Sequence, residues 1–180
     1  MKKILVIGVL LSCVSGLWGG TNVTVAGDGV GNVTGDIVIT ITGDVAVLAD
    51  SDIQVTNLTG NIIFDFESQT RSLTIETNAF VNLLTVTESI YCTNNPSPGA
   101  LVIEANAFGA LTTVTGNIGF NDVNLTILEA NAFASLATVE GDLDLSGNNY
   151  LTTLVTDAFP ADMTITGNLD LSSCTSLTTI

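Results

Sequence analysis

The chain has 180 residues, with 3 Lys+Arg against 18 Asp+Glu, no histidine and a formal net charge of −15. That length suits one domain burying roughly two-thirds of its unfolded surface. Without histidine there is no Ser-His-Asp or Cys-His dyad, no imidazole metal ligand and no imidazole pH switch, and with no lysine beyond Lys3 Schiff-base and P-loop lysine chemistry also fall away.

Met1-Lys2-Lys3 and the apolar run from Ile4 to Leu11 read as the first two regions of a secretory signal peptide. The run is too short to cross a bilayer, which needs about 20 residues. Residues 1–19 are therefore expected to be a signal peptide, and the mature chain to be secreted or displayed at the cell surface. Leu10-Leu11-Ser12-Cys13 resembles a lipobox, against the simpler reading of a signal-region cysteine. Any other hold on a membrane needs an anchor that is not evident here. So negative a surface repels nucleic acid and anionic lipid.

Residues 20–57 are rich in Gly, Thr and Val and are predicted to be a β-structured cap on the first turn of a solenoid. Thr34-Gly35-Asp36-Ile37 and Thr42-Gly43-Asp44-Val45 repeat a bend-then-strand step. Gly27-Asp28-Gly29-Val30-Gly31-Asn32 matches a calcium-binding β-roll repeat only once, so a loop is preferred and no metal site is assigned.

From residue 58 to 180 the sequence repeats. Phe80, Phe108, Phe133 and Phe159 each close an Ala-Phe pair, at spacings of 28, 25 and 26 residues. Around them run apolar columns: Val86, Val114, Val139, Ile165; Ile90, Ile118, Leu143, Leu169; Cys92, Phe120, Leu145, Leu171; and Leu101, Leu125, Leu151, Leu177. One unit carries too few apolar side chains for a core, whereas stacked units bury a continuous ribbon. The period-two step through Ile118 and Phe120 marks a short strand with those residues inward. A Gly-Asn or Gly-Asp pair before it suits a tight bend. The Ala-Phe segment is expected to be a short helical turn or an irregular convex stretch. Met163 is expected to fill the place left by Asp162, where other units have Leu83, Leu111 and Leu136.

Cys92 lies in an inward column and Cys174 falls where Asn148 stands one unit earlier. A polar side chain at that place can satisfy turn backbone. Three rungs of about 4.8 Å separate the two cysteines, beyond disulfide reach, so both are predicted to be free. The last unit stops at Ile180. An uncovered rung predicts either a fragment of a longer repeat protein or edge-to-edge association with another copy.

Leu136-x-x-Val139-x-Gly141-x-Leu143-x-Leu145-x-x-Asn148-x-x-Leu151 resembles a leucine-rich repeat. The Val-x-Gly-Asp-Leu form is similar to the receptor L-domain repeats of growth-factor receptors and fungal wall proteins. Asn-Ala-Phe-x-x-Leu resembles the BspA-type repeats of microbial and protist surface proteins. The resemblance implies a β-rich right-handed solenoid of the leucine-rich-repeat or L-domain kind. One face would be a parallel sheet, and the other short helical or irregular turns. It implies a scaffold rather than a ligand.

The function expected is a non-catalytic recognition or adhesion module, binding protein or glycan at the cell surface through its polar strand face, without cofactor. The candidate ligand-binding residues are Tyr91, Asn117, Glu140, Asp142, Asp144 and Asp170. Such an acidic face selects partners that are cationic or cation-bridged, with binding that weakens in salt. Two alternatives stay open. Asp142, Asp144 and Asp170 could pair as glycosidase carboxylates, which need separations of about 5–9 Å. And 26 residues are Thr, some stacked as an ice-binding face requires, although Glu140 interrupts the column of Thr87, Thr115 and Thr166. Asn22, Asn32, Asn57 and Asn124 each open an Asn-x-Thr sequon, usable only in a eukaryotic host.

Overall fold

The computed structural model describes residues 21–25, 30–41, 45–48, 53–67, 71–94, 99–155 and 157–179. The signal-peptide region, Cys13 and the Gly27–Gly29 stretch lie outside the described residues. Strand Ile37–Ile41 alternates, with Ile37, Ile39 and Ile41 fully buried. A strand of this kind with one apolar face must lay its edges against similar strands. It does so with the next copy of itself, Ile62–Phe66, in parallel, Ile37 opposite Ile62 and Ile39 opposite Phe64. The same register carries Ile62 to Ile90, Ile118, Leu143 and Leu169.

As far as Leu128 each coil of the chain visits three sheets in turn, and beyond it only the first and third continue. The first sheet is seven-stranded and runs Thr21–Val25, Ile37–Ile41, Ile62–Phe66, Ile90–Thr93, Ile118–Gly119, Leu143–Asp144, Leu169–Asp170. The second, four-stranded, comprises Val45–Leu48, Ser72–Ile75, Leu101–Ile103 and Leu125–Leu128. The third, six-stranded, runs from Val30–Thr34 and Gln54–Thr59 through Thr85–Val86, Thr113–Val114 and Thr138–Val139 to Thr164–Ile165. Every pairing between named strands is parallel except Thr21–Val25, which lies antiparallel on Ile37–Ile41 and covers that edge. Strands Val30–Thr34, Ile37–Ile41 and Val45–Leu48 already pair in parallel with the coil after them. Within the stretch read as a cap, coiling is thus under way by Val30.

This is a β-solenoid, and the expected helical turns are absent: no helix occurs among the described residues. The reason lies in the Asn-Ala-Phe motif. Asn78, Asn106 and Asn131 adopt φ of 63°, 57° and 61°, a left-handed setting that asparagine tolerates and a helix does not. Their neighbours close short turns, such as Leu83 N–H to the Phe80 carbonyl at 3.1 Å. Other amides reach the adjacent coil: Phe80 N–H donates to the Ala107 carbonyl and Phe108 N–H to that of Ala132, both at 2.9 Å. Inter-coil bonding thus continues through the turns.

The core is a set of columns. Phe80, Phe108, Phe133 and Phe159 stack with centroid distances of 4.5, 4.8 and 5.1 Å. Burying each ring is worth about 2–3 kcal/mol, and each stacked contact about 1 kcal/mol more. Phe64 and Phe120 stand on either side of Cys92 in their column, yet their rings approach to 6.3 Å by leaning over the smaller thiol. Cys92 and Cys174 are both free, and burial pushes the Cys92 thiol well above the ordinary range, which keeps it inert. Met163 packs against the core beside the exposed Asp162, with its N–H on the Pro160 carbonyl at 3.1 Å.

Asn148 is the one fully buried polar residue among those described. Its Oδ1 accepts from Leu125 N–H at 2.8 Å, and its Nδ2 donates to the Phe120 and Leu145 carbonyls, both at 2.7 Å. Cys174, one coil later, repeats one of these bonds through its thiol, 3.1 Å from the Leu145 carbonyl.

Candidate functional site

Two outward columns run side by side along the first sheet, and they are built differently. The column that opens each strand is Asp36, Asn61, Ser89, Asn117, Asp142 and Asn168. Each of these side chains accepts the backbone N–H of the next. Asn61 N–H reaches Asp36 Oδ1 at 2.8 Å, Ser89 N–H reaches Asn61 Oδ1 at 2.9 Å, and Asn117 N–H reaches Ser89 Oγ at 2.9 Å. Asp142 N–H reaches Asn117 Oδ1 at 2.8 Å, and Asn168 N–H reaches Asp142 Oδ1 at 2.7 Å. This ladder requires adjacent coils to approach closely. A Cβ on Gly116 would lie 2.8 Å from the Glu88 carbonyl carbon, on Gly141 2.7 Å from the Gly116 carbonyl oxygen, and on Gly167 2.6 Å from that of Gly141. Each of these three stands in the expected bend, but none has a positive φ, so crowding against the coil before, rather than backbone conformation, requires glycine there.

The second column, two residues further on, reads Val38, Ile63, Tyr91, Gly119, Asp144 and Asp170. It carries no inter-coil ladder of this kind, though its last two members, Asp144 and Asp170, repeat one local turn. Asp144 Oδ1 accepts from Ser146 N–H at 2.9 Å and Ser146 Oγ at 2.6 Å, which orients the carboxylate. Ser172 N–H donates to Asp170 Oδ1 at 2.8 Å, and these Ser172 bonds, backbone first, hold the Asp170 carboxyl below its ordinary value.

Between Tyr91 and Asp144 the missing side chain of Gly119 opens a groove of about 340 Å³, lined by Ser89, Tyr91, Asn117, Gly119, Asn121, Asp142 and Asp144. Four of the residues read from sequence as ligand-binding thus come together: Tyr91, Asn117, Asp142 and Asp144. Asp170 pairs with Asp144 one rung beyond them. Glu140 lies outside the groove: it follows strand Thr138–Val139 of the third sheet. Gly119, Ser89 and Asn121 complete the groove. The signal for Gly119 was legible, since it is the residue between Ile118 and Phe120 in the alternating step.

The third sheet presents a different surface. Its register stacks Asn32, Asn57, Thr85, Thr113, Thr138 and Thr164 in one outward column. The column of Thr34, Thr59, Thr87, Thr115, Glu140 and Thr166 stands two residues along. Asn57 Nδ2 donates to Asn32 Oδ1 at 2.7 Å, and Thr85 Oγ1 to Asn57 Oδ1 at 2.8 Å. Among the sequons, the amide nitrogens of Asn57 and Asn124 are hydrogen-bonded, the latter to the Gly99 carbonyl.

A second cleft, about 470 Å³, opens beside strand Leu125–Leu128, where the second sheet ends and residues 152–155 do not continue it. Its lining is Thr, Ala and aliphatic apart from Asn131 and Glu129, and Glu129 Oε2 is taken by Ala105 N–H at 3.0 Å. It offers area with few oriented polar groups. Among the described residues no group of three or more His, Cys, Asp or Glu is placed to hold a metal ion, and no helix is long and apolar enough to cross a membrane.

Comparison with known proteins finds no matching family model, no matching curated protein and no matching solved structure.

Proposed function

We propose that this chain is a non-catalytic recognition module, exported to the cell surface or beyond, that binds a glycan or protein through the outer face of its first sheet. We place it with the leucine-rich solenoids of the receptor L-domain and BspA-type kind. The observation that carries the reading is the groove at Gly119. One aromatic, two carboxylates and two amides from three successive coils converge there on a rigid parallel sheet, the arrangement of an apolar wall with a few fixed polar groups that suits ligand recognition.

A non-catalytic role is favoured by the carboxylates themselves. A glycosidase pair needs one carboxyl with a raised pKa, a part that Asp170, lowered by Ser172, does not fit, while Asp144 Oδ1 is committed to Ser146. The reading is tested with the full chain on glycan and protein arrays at low and high salt. Reproducible binding that weakens with salt supports it. Array silence, or polysaccharide turnover abolished by Asp144→Asn, overturns it.

The third sheet supports a second reading, as an ice-binding surface. Thr85, Thr113, Thr138 and Thr164 form a column that Glu140 does not interrupt. Its rungs repeat at about 4.8 Å, and the neighbouring column, at the bend after each strand, is the one that Glu140 breaks. Thermal hysteresis that increases on Glu140→Thr is the expected outcome of that reading, and its absence in both chains ends it.

A further inference from the structure

The glycine at position 119 has no conformational cause. Its φ is not positive, and a Cβ there would sit 3.6 Å from Asn121 Oδ1 and 3.7 Å from Tyr91 Cβ, ordinary contacts that the site admits. Gly116, Gly141 and Gly167 are forced by the coil beneath them, and Gly119 is not. A glycine inside a strand costs about 0.5–1 kcal/mol relative to alanine, and where nothing requires it, it marks a place where something else approaches the backbone. The unused space lies between Tyr91 and Asp144, the residues paired with Gly119 on the two adjacent rungs.

We propose that the Gly119 notch is the subsite for a single pyranose ring, neutral or amino-substituted, of a glycan bound to this face. The inference rests on the recognition role proposed above and names its ligand class. The flanking rungs place the Tyr91 and Asp144 Cα atoms about 9–10 Å apart, with the side-chain-free Gly119 rung between them. Tyr91 offers the apolar wall on which the C–H face of a sugar rests. The opposite wall offers oriented acceptors for ring hydroxyls: Ser146 holds Asp144 by Oδ1 alone, and Asp142 Oδ1 is committed to Asn168. The second oxygen of each carboxylate is left for a ligand. Asn117 lies two residues before Gly119, and Asn121, in the turn after the strand, sets its Oδ1 3.6 Å from where a Gly119 Cβ would stand. Two carboxylates with no cation lining the groove reject uronic acids, sialic acids and phosphorylated sugars by like-charge repulsion.

The test is ¹H–¹⁵N NMR of the full chain titrated with cello-oligosaccharides, chito-oligosaccharides and glucosamine oligomers, with oligogalacturonate as the acidic control. The expected result is a saturable shift of the Gly119, Tyr91, Asn121 and Asp144 amides with at least one of the first three probes and none with the control. Gly119→Thr is expected to keep or raise Tm while weakening that binding at least tenfold; Asp144→Asn is expected to weaken it with the fold intact. No shift with any of the three oligosaccharides overturns the subsite, as does Gly119→Thr binding like the parent chain. Oligosaccharide binding centred on other residues overturns the subsite while leaving the recognition role standing, and array silence removes both.

Discussion

The two outward columns of the first sheet lie two residues apart and face the same solvent, yet only one is constrained. From Asp36 to Asn168 each side chain closes the backbone N–H of the next coil, so the residue must be a short oxygen acceptor, and Asp, Asn and Ser are what occurs. The neighbouring column of Val38, Ile63, Tyr91, Gly119, Asp144 and Asp170 makes no such demand. What it teaches is that polar residues in register along a solenoid are first a structural device, and that the irregular column beside them is where binding chemistry has room to vary.

The sharpest way to break this comparison is one substitution made at two glycines. Gly141→Ala drives a Cβ against the Gly116 carbonyl and the Asn117 side chain and is expected to cost about 2 kcal/mol, whereas Gly119→Ala is expected to gain about 0.5–1 kcal/mol. Urea unfolding of both measures it. Equal signs would dissolve the distinction between a forced and an unforced glycine.

Next in size is Asn117→Ala, which removes the acceptor for Asp142 N–H. A loss of about 1 kcal/mol is expected, with slower-exchanging amides on either side becoming less protected; unchanged stability would mean the ladder only decorates the sheet. The smallest effect concerns Asp170. Its carboxyl is lowered in the folded chain, so its contribution is complete above the ordinary carboxylate value and is lost as pH falls through the folded one. Asp170→Asn is therefore expected to flatten Tm against pH only below about pH 4. A difference confined to neutral pH would contradict the bonds from Ser172.

Much of the coil was legible from residues alone. Phe80, Phe108, Phe133 and Phe159 repeat at coil length and stack as rings. The columns through Ile90, Val86 and Leu101 are the ones that pair in parallel. Asn148 and Cys174 satisfy turn backbone where their shared column places them. Sequence periodicity left the Asn-Ala-Phe segment open between a short helical turn and an irregular stretch, and the helical one fails on a left-handed asparagine, which leaves no mark on apolar spacing. It also named Glu140 among the ligand-binding residues, whereas the corner after Thr138–Val139 keeps that side chain out of the groove.

The sequence by itself determined the repeat length, the inward columns and the free state of Cys92 and Cys174, because stacking near-identical units fixes each column once the period is known. Only the tertiary structure decided that there are three sheets, that one outward column is consumed by the backbone, and that Gly119 is unforced while its neighbours are not. Each of those depends on what the preceding coil sets against a given Cβ or N–H, some 25–28 residues away in the chain, and no local pattern contains it.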